Sequence, residues 1–490
     1  MAVSTAVGPL ISDDLSIPLC VDLDGTLTPS DILLEGALKL VRVQPLASLA
    51  MLRWALQGKA NLKDQIAKRV DLDMAALPFN ETVLDFLRRE SERGREIVLV
   101  TAANEQPACQ VAAQCRVFTS VLASTEEHNL SGRSKRMVLE ERYGAGCFDY
   151  IGNARSDLVV WRSARRAFVV GAGKGVQRAA LRQGNADLGL ARPRRVWASL
   201  LRAMRPHQWL KNVLIFLPLL FAHRISDTSA IARDLLAFLS FSLCASGIYV
   251  VNDLLDLEND RRHRTKRLRP FACGAVPISL GLIAAPVLLA AGLLTAFAVA
   301  PYFYIMAAGY VTLSMAYSLA LKRIVLLDVV VLAGLYTCRI VAGAVAAEVV
   351  ASFWLLAFAL FMFSSLAMVK RYSELLAVRT DRPLTVAGRD YSTSDSDMVA
   401  MLGVASGYVA VLVVALYING DLVRHLYAHP GVLWGICPIL LYWISRVWLI
   451  AHRGLMHDDP ILFAMKDPVS LVVAGLVAVV GLVAMVPIRI

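Results

Sequence analysis

Two groups of carboxylates have the type and spacing for chemistry. Asp22-Leu-Asp24-Gly25-Thr26 follows directly on the apolar run IPLCV, so two acids two residues apart leave the end of a predicted strand. Open α/β sheets place their sites at that edge. One carboxylate there can attack a phosphoryl group while the other protonates the leaving oxygen, with Mg²⁺ offsetting the crowded charge. The second group lies in YVVNDLLDLENDRRHRTKRLRP, where Asp253, Asp256 and Asp260 are spaced i, i+3, i+7. On one continuous helix these three fall within about 60° of one another, while Glu258 points about 140° away from Asp253. A row of acids at a bilayer edge is costly unless it binds cations or faces a cavity. Its simplest use is a pair of Mg²⁺ ions holding a diphosphate, with Asn252 as a neutral ligand and Lys266, Arg267 and Arg269 on the outer oxygens.

The elements that must position these groups differ along the chain. The 490 residues carry a net +11, of which +1 falls before Leu190 and +10 after it. A near-neutral part of globular size is therefore joined to a cationic part that is also the apolar one, which argues against a nucleic-acid binder. Residues 18 to 190 alternate short β-branched runs (IPLCVDLDG, REIVLVTAA, SVLAS, FDYIGNA, AFVVGA) with helical stretches, a parallel α/β pattern. The stretch 30–87 reads as a helical insertion. Residues 191–205, with Arg192, Arg194 and Arg195, read as a basic linker, so the expected domains are 1–190 and 206–490. Apolar segments near 211–225, 231–251, 278–299, 301–320, 324–347, 352–369, 398–418, 430–451 and 468–488 predict nine transmembrane helices. Of the later part's 27 Lys and Arg, 22 then fall on one face, which places the first domain and the loops after even-numbered helices in the cytoplasm. The start, MAVSTAVGPLISDDLSIPLC, has no basic stretch leading into an apolar core, consistent with that orientation. The eight cysteines show no metal-ligand or disulfide pattern and read as reduced packing residues.

Further elements join the first carboxylate pair. Thr101 ends the strand REIVLV, Lys135 sits in GRSK, and Gly152-Asn153-Ala-Arg-Ser-Asp157 follows the strand FDYI. This ordered set resembles the haloacid dehalogenase superfamily of phosphatases over residues 15 to 185, with the insertion where that family carries a cap. The resemblance implies a Rossmann-like domain in which Asp22 is the nucleophile and Asp24 the acid/base. It also implies Thr101 and Lys135 as phosphate ligands, and Asp22, Asp24 and Asp157 around Mg²⁺. Asn153 stands where the family has an acid; its amide brings no charge to the metal, so a weak phosphatase acting as an anchor or regulator is an alternative.

The second group, NDxxDxxxD beside KRxRP, resembles the UbiA-type membrane prenyltransferase superfamily from about Leu200 to the end. That resemblance implies an all-α, nine-helix domain with Asp253 and Asp256 catalytic, Asp253, Asp256 and Asp260 on Mg²⁺, and a second acidic motif after helix 6. Here the second loop reads Lys370-Arg371-Tyr372-Ser-Glu374, with Asp390, Asp395 and Asp397 later as ligands or caps. That loop and Arg205-Pro-His-Gln208-Trp-Leu-Lys211-Asn212 look like the decaprenyl-phosphate phosphoribosyltransferase branch. By that resemblance Arg205, Gln208, Lys211, Asn212, Lys370, Arg371, Tyr372 and Glu374 bind substrates: phosphoribosyl pyrophosphate as donor and a polyprenyl phosphate as acceptor. A more cationic second loop suits an anionic acceptor. Arg339, inside segment 5, is expected to face a partner, Glu348 or Asp328.

The combined expectation is a multi-pass inner-membrane enzyme with a cytoplasmic phosphatase-like domain that removes a 5-phosphate from the lipid-linked product. The alternatives are a prenyl diphosphate donor with an aromatic or other small acceptor, or a cation-coupled transporter.

Overall fold

The computed structural model describes residues 14–126, 128–190, 195–222, 224, 226–381, 390–456 and 459–485. Arg192, Arg194 and residues 382–389 of the second loop lie outside them. The chain divides into two compact units, residues 1–204 with 249–285, and residues 205–248 with 286–490. Tyr249–Ala285, which holds the second acidic motif, thus belongs to the same unit as the α/β part.

The first unit is built on a parallel sheet of β1 (Leu19–Val21), β2 (Ile97–Asn104), β3 (Ser120–Ser124), β4 (Asp149–Gly152), β5 (Ala167–Val169) and β6 (Ala186–Asp187), in the order β3-β2-β1-β4-β5-β6. Five of these strands are the five runs read from the sequence; the two-residue β6 was too short to read. Cys20 of β1 pairs with Val98 on one side and Tyr150 on the other, so β1 is central and its carboxyl end is flanked by two neighbouring strand ends. Successive side chains of a strand face opposite ways. Leu19 and Val21 accordingly pack with Ile97, Leu99, Phe86 and Phe168 on one face, and Cys20 packs with Val98, Val100, Tyr150 and Trp161 on the other. Two-sided burial explains why these runs are continuously apolar.

Between β1 and β2 lie α1 (Ile32–Val43), two short helices, α2 (Lys59–Ala67) and a 3₁₀ turn, followed by α3 (Glu81–Glu92). As expected there is no strand here among the described residues. Asp31 caps α1 by accepting from Leu34 N (3.0 Å), and Leu40, Trp54 and Ile66 give the insertion its own small core. Val196–Ala203, within the stretch read as a linker, is helical. α4 (Arg133–Tyr143) carries Lys135 back to the sheet.

Among the described residues seven helices are long and apolar enough to cross a membrane, as a multi-pass membrane protein requires: α5 (Thr228–Leu255), Ile278–Val299, α7 (Leu327–Ala346), α8 (Phe353–Asp381, of which Phe353–Ala377 is the span), Thr393–Ile418, Pro430–His452 and Pro468–Met485. The short helix α6 (Leu257–Arg262) follows α5 directly. Nine were expected. The segment near 211–225 is instead a 3₁₀ helix over Pro206–Phe216 followed by the five-residue helix Leu217–Phe221. The 301–320 segment is the helix Pro301–Leu319, whose four tyrosines dilute its apolar character. In the second unit a Cβ on Gly343 of α7 would collide with the carbonyl of Ile215, so the small residue lets the 3₁₀ helix lie against α7.

One buried charge cluster offers a stability test. Arg95 is 2% exposed and donates to Ile17 O (2.8 Å), pairs with Glu90 (2.8 Å) and also pairs with Asp149. Arg95→Ala leaves two buried carboxylates short of a cation. The first unit should then lose about 3–5 kcal/mol, read as a lower denaturant midpoint in the full-length protein.

Candidate functional site

At the carboxyl end of β1, Asp22 Oδ1 accepts from Lys135 Nζ at 2.7 Å, and Thr26 Oγ1 approaches its other oxygen at 3.4 Å. Lys135 also donates to the Tyr150 hydroxyl (2.9 Å), which reaches Asp157 Oδ1 at 3.5 Å. The far oxygen of Asp157 accepts from the backbone N–H groups of Asn153 (3.0 Å) and Ala154 (2.9 Å). A Cβ at Gly152 would come within 2.7 Å of that same oxygen, so the strand end must be glycine. Asp22, Lys135 and Asp157, 113 and 22 residues apart in sequence, therefore share one buried cluster that Tyr150 links. Tyr150 was missed in sequence because a tyrosine in an apolar strand reads as core.

Asp24 accepts from Ile32 N (3.0 Å), the first residue of α1. Burial, reinforced by the negative charge of Asp31, pushes its pKa up to about 8, against the opposing Ile32 N–H. Burial likewise lifts Asp157 to about 6, with Asp22 adding repulsion and Lys135 opposing. Thr101 is fully buried and its hydroxyl accepts from Ala103 N (3.0 Å). Lys63, from α2 of the insertion, was also missed: its ammonium donates to Ala102 O (2.5 Å) and Asn129 Oδ1 (2.7 Å), beside Thr101.

Among the described residues no three His, Cys, Asp or Glu side chains gather into a metal cage. The donor set at β1 is two carboxylates, Asp22 and Asp157, with the amide of Asn153. Asn153 Oδ1 is buried without a hydrogen-bond partner, and its Nδ2 stands where a Cβ on Gly25 (φ +77°) would sit. An orphaned acceptor beside two carboxylates fits a divalent cation of modest affinity.

The second acidic motif departs from a single helical face. α5 ends at Leu255, the chain breaks at Asp256 (φ −101°, ψ 12°), and α6 begins at Leu257. Asn252 and Asp253 close the first helix and Asp260 lies on the second. One cation joins them nonetheless: Arg269 reaches Asp260 at 2.7 Å and Asp253 at 3.2 Å. Asp256 pairs with Arg42 of α1 (3.1 Å), a partner 214 residues earlier that spacing within the motif could not reveal. Glu258, off the predicted face, pairs with Lys39 (2.6 Å) and Arg262 (2.9 Å). Lys266 and Arg267 are exposed on a short 3₁₀ turn.

In the second unit, Lys211 and Lys370 converge on one carboxylate, Asp459, at 2.8 and 3.3 Å. Lys211 also lies over the Tyr336 ring. Asp459 was not singled out in sequence, since Asp before Pro460 reads as a helix cap, and it is one: it accepts from Ile461 N (3.1 Å). Asn212 donates to Ser242 (3.0 Å) and accepts from Arg339 Nε (2.8 Å). Arg339 is 5% exposed, lies against the Tyr310 and Tyr336 rings and donates to the Tyr310 hydroxyl (3.0 Å). Its expected carboxylate partners are engaged elsewhere: Asp328 pairs with Arg371 (2.6 Å) and Glu348 with Arg233 (3.6 Å). Arg371 also pairs with Glu374. Tyr372 meets His452 Nδ1 at 2.8 Å. Arg205 enters the 3₁₀ helix with φ +54°, and Gln208 follows in it. Asp390 is exposed, and Asp395 is a capping residue, accepting from Ser392 N (2.8 Å). Asp397 lies in the first turn of the following helix.

Residues 213–466 match the UbiA prenyltransferase family. The chain is 36% identical to the Sinorhizobium fredii protein called Uncharacterized protein y4nM, over 96% of this chain and 92% of that one. It is 41% identical to Nodulation protein NoeC of Azorhizobium caulinodans over 55% of this chain and 88% of that one. It is 36% identical to Decaprenyl-phosphate phosphoribosyltransferase of Mycobacterium tuberculosis over 41% of this chain and 68% of that one.

The raised pKa of Asp24 has a stability consequence. A carboxyl whose folded pKa lies above its unfolded value stabilises fully below the unfolded pKa, near 4, and loses that contribution as pH rises to its folded pKa, about 8. Asp24→Asn lacks this loss. The variant should gain melting temperature over wild type progressively from pH 5 to pH 8 and hold a constant lead above pH 9, as thermal melts would read.

Proposed function

The chain belongs to the UbiA prenyltransferase family, and from that premise we propose that it moves a phosphoribosyl group from phosphoribosyl pyrophosphate to a polyprenyl phosphate. The observation that carries this reading is the buried cationic equipment of the second unit. Lys211, Lys370, Arg339 and Arg371 are all held in or near the membrane-spanning helices, where charge persists only for a purpose. Three buried cations and the half-buried Lys370 suit an anionic acceptor. The similarity to a decaprenyl-phosphate phosphoribosyltransferase supports the same choice.

In the proposed reaction an oxygen of the lipid phosphate attacks C1 of the ribosyl group, the C1–O bond to pyrophosphate breaks, and pyrophosphate leaves with that oxygen's electron pair. The acceptor is already anionic, so no strong base is required. Asn252, Asp253, Asp256 and Asp260 would hold Mg²⁺, which supplies charge neutralisation on the diphosphate when bound. Arg269, Lys266 and Arg267 meet the outer oxygens, and Lys211, Lys370 and Arg371 orient the acceptor, with Arg205, Gln208, Asn212, Tyr372 and Glu374 around them.

The soluble domain then acts as a phosphatase on the lipid-linked product. Asp22 attacks the 5-phosphate, the ribose O5 departs with the proton that Asp24 carries at neutral pH, and water hydrolyses the aspartyl phosphate. Lys135 holds Asp22 in place, Thr101 helps bind the phosphate, and Asp157 with Asn153 completes the Mg²⁺ site. The protein sits in the inner membrane with this domain in the cytoplasm.

Membranes given labelled phosphoribosyl pyrophosphate should form labelled lipid, and Asp253→Ala should lower pyrophosphate release by about 100-fold, the loss seen when one charge contact to a developing anion goes. Label entering lipid only from a prenyl diphosphate would overturn the donor assignment. For the phosphatase, full-length protein should release inorganic phosphate from the labelled lipid, and Asp22→Asn should abolish it. Release that persists in Asp22→Asn would remove the soluble domain from the reaction.

A further inference from the structure

The soluble part and the acidic motif after α5 are joined by a row of charge pairs. Glu35, Lys39 and Arg42 lie at i, i+4 and i+7 on α1, within about 60° on one face. Glu35 takes both terminal nitrogens of Arg261 in a bidentate pair (2.6 and 2.7 Å), each side chain 6% exposed. Lys39 pairs with Glu258 (2.6 Å). Arg42 pairs with Asp256 (3.1 Å) and donates to Leu255 O (3.2 Å). Arg262 pairs with Asp73 (2.7 Å) of the 3₁₀ turn after α2.

The row is aimed at the part of the motif that the helix break leaves unsupported. Arg42 caps the end of α5 and holds Asp256 at the break itself. Arg261 also donates to Ala272 O (3.0 Å), so the Glu35 pair ties the far limb of the loop to α1 as well. Beyond it Gly274, at φ +70°, packs so closely on Pro29 that a Cβ there would overlap the proline ring. Exposed ion pairs contribute little, but a buried bidentate pair fixes geometry strongly.

We infer that α1 is a positioning element of the transferase: Glu35 and Arg42, both in the soluble domain, set the geometry of Asp253, Asp256 and Asp260. This rests on reading that loop as the diphosphate site. The transfer reaction therefore depends on this face of the soluble domain, independently of whether the phosphatase chemistry runs.

The test compares full-length wild type with Glu35→Arg, Arg261→Glu, the double charge swap and Arg42→Ala. Hydrogen exchange is followed over residues 249–276, and pyrophosphate release is followed with phosphoribosyl pyrophosphate and with a prenyl diphosphate. Each variant with a broken pair should exchange about tenfold faster in this stretch and raise the donor KM about tenfold with kcat within about threefold, since positioning acts on donor binding. The double swap should recover both readouts. Arg42→Ala keeps the buried pair and so separates positioning from a folding defect. Wild-type exchange in the single variants overturns the inference. So does faster exchange with unchanged KM, or a double swap that recovers neither. If wild type releases pyrophosphate from neither donor, the functional reading fails instead, and exchange alone decides whether α1 holds the loop.

Discussion

A charge removed from water must meet its opposite or a dipole, and much of this protein's architecture answers that requirement. Burying an ion costs several kcal/mol before any partner is found. Arg95 is repaid by Glu90 and Asp149, Lys135 by Asp22, Arg261 by Glu35, and Arg371 by Asp328 and Glu374. Arg339 is the variation: with no carboxylate among the partners described above, it uses an amide oxygen, a hydroxyl, the Leu335 carbonyl and two ring faces.

The two carboxylate groups solve the same requirement differently. At β1 the acids are kept apart electrostatically, with Asp22 on an ammonium and Asp24 pushed up by burial. At the loop after α5 every acid of the motif meets an arginine or a lysine. In the proposed reaction these same cations would meet the diphosphate oxygens.

Much was legible in the sequence where the signal is periodic or local. The parallel strands appeared as β-branched runs because both faces of the sheet are covered, and the helical insertion as 58 residues without such a run. Other features escaped because sequence distance hides them. Asp459 looks like an ordinary cap, Tyr150 like core, and Lys63 like an exposed helix residue; each owes its role to a neighbour 15 to 248 residues away. Of the nine apolar segments read, seven are helices long and apolar enough to span among the described residues; the other two are a proline-led 3₁₀ segment and a tyrosine-rich helix.

The amino-acid sequence by itself determined the division into an α/β part and an apolar helical part, the residues of both acidic motifs, and the family. The first two follow from composition, periodicity and local spacing, which act over a few residues; the family follows from the resemblance of its motifs and the match over residues 213–466. Only the tertiary structure decided how the acids are used. The helix is interrupted at Asp256, and that carboxylate pairs with Arg42 of α1. Grouping the loop with the α/β unit follows from the same kind of cause: pairing of buried charge is blind to sequence distance, and it joined residues more than 200 positions apart.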